Sequence, residues 1–255
     1  MKLTMLGCGT STGVPGIGNN WGACDPKEPL NRRSRSSILL ENDAGARLLI
    51  DTSTDLRNQL LDNNIDRIDA VFWTHDHADH CHGIDDLRPF RYGRGGPLPG
   101  YASRETMQRL KRRFDYVFAG QYGYHTLVTG ESLDNLRMCC GFGVQSCEMP
   151  HGPGFTTGFR FDYNGISICY LVDFSEITAG MIALSTDCDV LVVDCLRREP
   201  HPTHANLAMA LDMAEKSRAS KVILTHLDRS MDYISLCHEV PGHVIVGYDG
   251  LVMEV

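Results

Sequence analysis

Residues 72–83 read FWTHDHADHCHG and place His75, Asp76, His77, Asp79, His80, Cys81 and His82 directly after an apolar run. Folding does not call for that density of titratable groups, but a metal centre does. His75 and His77 are two residues apart, so an extended backbone aims both imidazoles at one ion. Asp79 and His80 are adjacent, and a regular strand would send them to opposite faces. They need a turn, and more naturally serve a second ion. Four ligands from one loop cannot close two coordination shells. His151, Asp173 and His226 are the available remainder, and Asp173 can bridge because a carboxylate has two oxygens. Nitrogen and oxygen ligands without thiolate suit Zn²⁺, Mn²⁺ or Fe.

These candidates share a position in the chain. Six runs end in one Asp or His after a stretch of mostly apolar residues: ARLLI at Asp51, DAVFWT at His75, VQSCEMP at His151, ISICYLV at Asp173, DVLVV at Asp194 and KVILT at His226. Strand ends along one edge make a rim where polar groups sit on a rigid scaffold. Other strands are expected at KLTMLG, GFRFDY and a hairpin, SSILLEN and ARLLID, around Asp43-Ala-Gly45. Helices are expected at 54–64, 84–92, 103–113, 177–185, 204–218 and 231–238, the third opened by Ser103. Strands outnumber helices and come in runs. That order suits an α+β fold of two sheets covered by helices better than a doubly wound parallel sheet.

The chain has 255 residues and shows no solenoid repeat, low-complexity tract or linker, so a single domain over 1–255 is expected. The net charge of −8 argues against a stable nucleic-acid partner or an anionic membrane surface. No segment approaches the roughly 20 apolar residues of a membrane span. The start MKLTMLGCGTSTGVPG carries too short an apolar stretch for a secretory leader. Ten cysteines without a repeating framework then read as reduced, mostly packed thiols of a cytoplasmic protein, the adjacent Cys139 and Cys140 included.

HDHADH matches the H-x-H-x-D-H motif of the metallo-β-lactamase superfamily, and the chain resembles that family from end to end. GCGTSTGVP, RRSRSS, LLIDTS, THDHADHCHGIDDLR, LVD, THANLAMAL, ILTH and VGYDGLVMEV are similar to the PhnP-like cyclic phosphodiesterases, relatives of tRNase Z. The resemblance implies an αββα sandwich of two mixed sheets flanked by helices, with two divalent metal ions, Zn²⁺ or Mn²⁺. It implies that His75, His77 and His151 hold one ion, that Asp79, His80 and His226 hold the other, and that Asp173 bridges them. Asp51 and Asp194 become candidates for orienting ligand imidazoles. The family's cysteine-rich structural zinc site has no counterpart, because GNNWGAC offers only Cys24 and Arg229 stands near the late position. A third zinc is not expected.

Two ions roughly 3.5–4 Å apart can hold a hydroxide between them and clamp the oxygens of an in-line displacement at phosphorus. The departing alkoxide needs a proton, and His204 is the candidate acid. It opens HANLAMALDMAEK, which reads as an amphipathic helix and resembles the helix-opening histidine motif of the phosphodiesterase members. Asp79 is the other candidate catalytic residue. Arg35 and Arg88 are the candidate substrate-binding groups, with Arg32, Arg33 and Arg91 nearby, because guanidinium forks suit phosphate oxygens. The run Arg109, Lys111, Arg112 and Arg113 reads instead as a solvated helix face.

The expected function is therefore hydrolysis of a small or cyclic phosphodiester, by a chain that could also pair with a second copy as a homodimer. Lactone or thioester hydrolysis is the nearest alternative, and there His204 would be unnecessary. A tRNase Z-like ribonuclease is disfavoured by the negative charge, and a flavo-diiron oxidoreductase by His77, where that class carries glutamate. A non-enzymatic binding protein would be expected to lose ligands, and none is lost.

Overall fold

The computed structural model describes residues 1–120 and 123–255. The first apolar run forms β1 (Lys2–Gly7), which pairs antiparallel with β2 (Ser37–Glu41). The expected turn at Asp43–Gly45 then leads β2 back into β3 (Arg47–Ile50). Three parallel additions extend this sheet: β4 (Ala70–Phe72), β5 (Gly100–Ala102) and β6 (Glu131–Ser132). The second sheet is built from β7 (Met138–Cys139), β8 (Phe142–His151), β9 (Gly154–Tyr163), β10 (Ile166–Leu171), β11 (Val190–Asp194), β12 (Lys221–Thr225) and β13 (Val244–Val246). Last, β14 (Val252–Glu254) returns to the first sheet beside β1. The strand orders are 14-1-2-3-4-5-6 and 13-12-11-10-9-8-7.

Both sheets are mixed, as expected. Period-2 alternation explains how each strand serves two layers. On β11, Val190 and Val192 point into the core between the sheets, while Leu191 and Val193 point to the outer helices. The inner core joins Leu3, Met5 and Phe72 of one sheet to Phe142, Phe159 and Phe161 of the other. Phe72 meets Phe159 and Phe161 edge-on, at centroid distances of 5.6 and 5.2 Å.

Outside the first sheet lie α1 (Leu56–Asp62), α2 (Ala78–Cys81), α3 (Arg88–Arg94), α4 (Arg104–Arg113) and α5 (Asp115–Ala119). Outside the second lie α6 (Ala179–Ser185), α7 (Leu207–Ser217) and α8 (Tyr233–Glu239). The architecture is the αββα sandwich. None of these helices is long and apolar enough to cross a membrane. All ten cysteines are free thiols.

Two boundaries differ from the sequence expectation. The helix expected at 84–92 is broken into a 3₁₀ turn, Ile84–Leu87, and α3. Pro89 explains the restart, since a residue without an N–H belongs in a helix's first turn. The helix expected from His204 starts at Leu207, because Asn206 caps it by accepting from Met209 N at 3.0 Å. His204 therefore lies ahead of the helix. The short strands β5, β6, β7, β13 and β14 were not expected.

Candidate metal centre

The strand directions bring the six candidate ends together. β10, β11 and β12 are mutually parallel, as are β3 and β4. Two antiparallel steps return β8 to the direction of β10. Their final residues or the loops just beyond them carry Asp51, His75, His151, Asp173, Asp194 and His226 along one rim. Asp51, Asp173 and His226 adopt left-handed backbone conformations, with φ of 64°, 58° and 59°. This region is costly for residues other than glycine and uncommon outside Asn, Asp and His. At all three positions it turns the chain sharply at the end of a strand.

The histidine loop adds the rest. His77 is extended (φ −66°, ψ 151°) and leads into the single turn of α2, which carries Asp79 and His80. The turn that the adjacent pair required is thus a one-turn helix. Gly83 closes it, where a Cβ would lie 2.0 Å from the carbonyl oxygen of Ser53.

Two cups result. His75, His77, His151 and Asp173 offer ligand atoms within 4.8 Å of one another, as do Asp79, His80 and His226. Asp173 stands between them. Its Oδ2 lies 3.5 Å from both His75 Nε2 and His80 Nε2, and its Oδ1 lies 3.4 Å from His226 Nε2. Buried polar atoms normally find partners. Here His75 Nε2, His80 Nε2, His226 Nε2 and Asp173 Oδ1 are buried, convergent and without a hydrogen bond. That donor set fits a divalent metal ion, which would satisfy these atoms together.

The other ring nitrogens are occupied differently in the two cups. In the first, His151 Nδ1–H donates to the Thr203 carbonyl at 2.7 Å, and His75 Nδ1 lies 3.0 Å from Thr74 Oγ1. In the second, His80 Nδ1–H donates to Asp51 Oδ2 at 2.7 Å, and Asp51 itself accepts from Thr74 N at 2.8 Å. Asp194 Oδ1 is 3.6 Å from His226 Nδ1, while its Oδ2 accepts from Ala205 N at 3.1 Å. Carboxylates or carbonyls behind ligand imidazoles fix the tautomer and orientation.

The electrostatics divide along the same line. Burial, then the charge of His80, pushes His75 well below its ordinary value, and burial lowers His151. Burial also opposes protonation of His80 and His226. The carboxylates of Asp79, Asp173 and Asp51 overcome it at His80, which rises well above the usual histidine range. Asp173, with Asp79 and Asp194, raises His226 to about 9. Burial works to raise Asp79 and Asp173, but the neighbouring imidazoles outweigh it and hold both carboxyls below the usual range.

His204 sits over both cups, with ring centroids 4.8 Å from His151 and 4.9 Å from His226. Its Nδ1 is buried, without a hydrogen bond, and 3.4 Å from Asp194 Oδ2. A cavity of about 350 Å³ opens above these groups.

The arginine expectations need correction. Neither Arg35 nor Arg88 lines this cavity. Arg35 is held by Asp55 at 3.0 Å and donates to the Ser11 carbonyl, so it fixes a loop at the cavity edge. Arg88 pairs with Asp85 at 3.2 Å and lies over the Tyr124 ring. Arg33 is buried against the Asn31 side chain and the Asp228 carbonyl, with Cys24 Sγ 4.0 Å away. Arg109 does line the cavity, and with Arg113 it binds the carboxylate of Asp76 at 3.4 and 2.9 Å. The run is solvent-exposed, as expected, but two of its members, Arg109 and Arg113, also hold the metal loop from α4. Acidic Asp76 beside basic α4 was a signal of this pairing that spacing alone could not resolve.

Residues 46–227, well over half of the chain, match the beta-lactamase superfamily domain. A protein from Porphyromonas gingivalis named octanoyltransferase is 32% identical over 98% of this chain, which spans about half, 51%, of that protein's length. A crystal structure of a diphosphatase from the PhnP family superposes with TM-score 0.87 at 35% identity, covering 99% of this chain and 96% of that one. The short form of human tRNase Z shares the fold, with TM-score 0.72 and 19% identity over 100% and 99% of the two chains. With the αββα frame and the cluster of histidines and aspartates on its rim, the chain belongs to the metallo-β-lactamase superfamily.

Proposed function

We propose that the chain hydrolyses a phosphodiester or diphosphate bond in a small substrate, with one divalent ion in each cup. His75, His77 and His151 would hold one ion, Asp79, His80 and His226 the other, and Asp173 would bridge. Ions bound there supply Lewis-acid charge and an acidified water. Asp51 and the Thr203 carbonyl keep the ligand imidazoles in the tautomer that leaves Nε2 free. His204 Nδ1 lies 3.4 Å from Asp194 Oδ2 and 3.8 Å from Asp173 Oδ1, so with that nitrogen held by carboxylates the other, Nε2, is the one that can protonate the departing oxygen.

The observation that carries this reading is the position of His204 across both cups. An acid so placed serves a poor alkoxide leaving group, whereas an activated ester or thioester has little need of it. The likeness to a diphosphatase of the PhnP family supports chemistry at phosphorus. The name octanoyltransferase belongs to a protein that this chain matches over half its length. Among the described residues that line the cavity there is no cysteine or lysine; its hydroxyls are those of Ser11 and Thr203.

The test compares wild type and His204→Ala, both reconstituted with Mn²⁺ or Zn²⁺, on phosphodiesters with alkyl and p-nitrophenyl leaving groups. The variant should keep its metal and lose about 10²–10⁴-fold in rate on the alkyl ester, with a much smaller loss on the activated one. Equal losses would remove the acid role. A lactone or thioester cleaved faster than any phosphodiester would remove the phosphorus reading.

A further inference from the structure

The cavity above the cups continues into a second space. Thr203, His204 and His226 line the cavity alone. Asp76, Arg109, Pro153, Gly154 and Phe155 line the cavity too, and the same five residues also line a larger groove of about 670 Å³ that none of the first three touches. The site thus opens past Phe155 into a channel between α4 and the β8–β9 hairpin, away from His204.

Phe155 is 57% exposed, and among the described residues no aromatic ring packs against it. Single exposed apolar side chains are common and need no explanation. Phe155 is distinguished by its anchorage. It pairs with Pro150, and the adjacent pair in the same ladder is His151 with Gly154, closed by the two-residue turn Gly152-Pro153. Gly152 has φ 58°, and a Cβ there would meet Thr203 Cγ2 at 2.8 Å, so the turn is fitted against the loop that holds His151. A bare aromatic side chain is therefore held next to the His151 pair, on the other face of the ladder, and lines both the cavity and the groove.

We propose that this groove binds the arm of the substrate that remains on phosphorus, with a planar ring of that arm stacked on Phe155. The inference rests on the phosphorus chemistry above. In an in-line displacement the leaving group departs beside His204, so the retained arm must lie to one side, where the channel offers space. The preferred substrates are then phosphodiesters or diphosphate diesters bearing an aromatic or heteroaromatic substituent. A compact cyclic phosphate would leave the channel unused.

Two esters with the same leaving group test this: thymidine 5′-(p-nitrophenyl phosphate) and methyl p-nitrophenyl phosphate. Wild type, Phe155→Ala and Phe155→Tyr, all reconstituted with Mn²⁺ and checked for metal content, are compared by kcat and KM. Wild type should favour the thymidine ester. Phe155→Ala should shrink that preference by about tenfold or more, mainly through KM, as expected for loss of one ring stack. Phe155→Tyr should restore it. An unchanged preference ratio in Phe155→Ala would overturn the inference. If wild type cleaves neither ester, the phosphodiester reading itself fails. Calorimetric binding of thymidine 5′-O-methyl phosphate then decides: weaker binding to Phe155→Ala upholds the stacking site, and equal binding removes it.

Discussion

The two cups differ in their ligands and in what stands behind them. The cup of His75, His77 and His151 includes an exposed histidine, His77, and its other members lean on a hydroxyl and a backbone carbonyl. The cup of Asp79, His80 and His226 is buried, and carboxylates stand behind both imidazoles. Anionic backing raises ligand basicity, and burial keeps competing water out. The difference teaches that one rim can set two groups of candidate ligands in unequal surroundings, although residues of both line the same cavity. Asp173 is common to both.

The largest effect is expected where that difference vanishes. Asp173→Asn keeps the size but loses the charge facing both cups. Metal content and turnover should fall together, by more than the about 10–100-fold that loss of an outer partner costs. Elemental analysis showing normal content with normal rate would move the bridge elsewhere. Next, His77→Ala should empty the open cup alone. Metal analysis should then show half the wild-type content, with turnover reduced as well. Loss of all metal would mean that the buried cup cannot stand by itself.

A smaller effect is expected from Asp51→Asn, which removes the carboxylate behind His80. Affinity in the buried cup should drop about 10–100-fold, measured by competition with a chelator, while the open cup keeps its affinity. Equal weakening of both would erase the distinction drawn here. The finest test is proton release. At about pH 7.5 the metal-free protein holds His80 and His226 protonated, since both are raised and His226 titrates at about 9. His75 and His151 are lowered and already neutral. An ion entering the buried cup must therefore expel protons that His75 and His151 do not carry. Calorimetry in buffers of different ionisation heat should show the larger proton release on filling the buried cup, and the share from His226 should fade as pH rises through about 9.

Most of the candidate metal centre was legible because the residues it brings together sit at the ends of apolar runs or in one dense motif. His151, Asp173 and His226 lie far apart in the chain, yet a strand ending in a lone polar residue marked each of them. The short strands β5, β6, β7, β13 and β14 were illegible for the opposite reason. Two or three residues carry no period, and they form through pairing with neighbours already in place. The arginines misled because charge in a loop says nothing about its partner: Asp55 took Arg35 and Asp85 took Arg88, while Arg109 pairs with Asp76 and still stays half exposed on α4. His204 was recognised, but its helix was drawn too long because Asn206 is the better cap. Phe155 left no signal at all, since its meaning depends on the hairpin register.

The left-handed turns at Asp51, Asp173 and His226 have a consequence for which sequences can carry this site. At these three positions the backbone screens residues before the chemistry does. Glycine, asparagine or aspartate can take the conformation at small cost, whereas a β-branched residue adds steric strain to whatever it removes from the metal. In a saturation library, folded yield and metal content should therefore separate. Asn and Gly variants would accumulate as well-folded but metal-poor protein, while Val and Ile variants would be lost from the soluble fraction. Elsewhere on the rim, as at His75, the two readouts would not divide in this way.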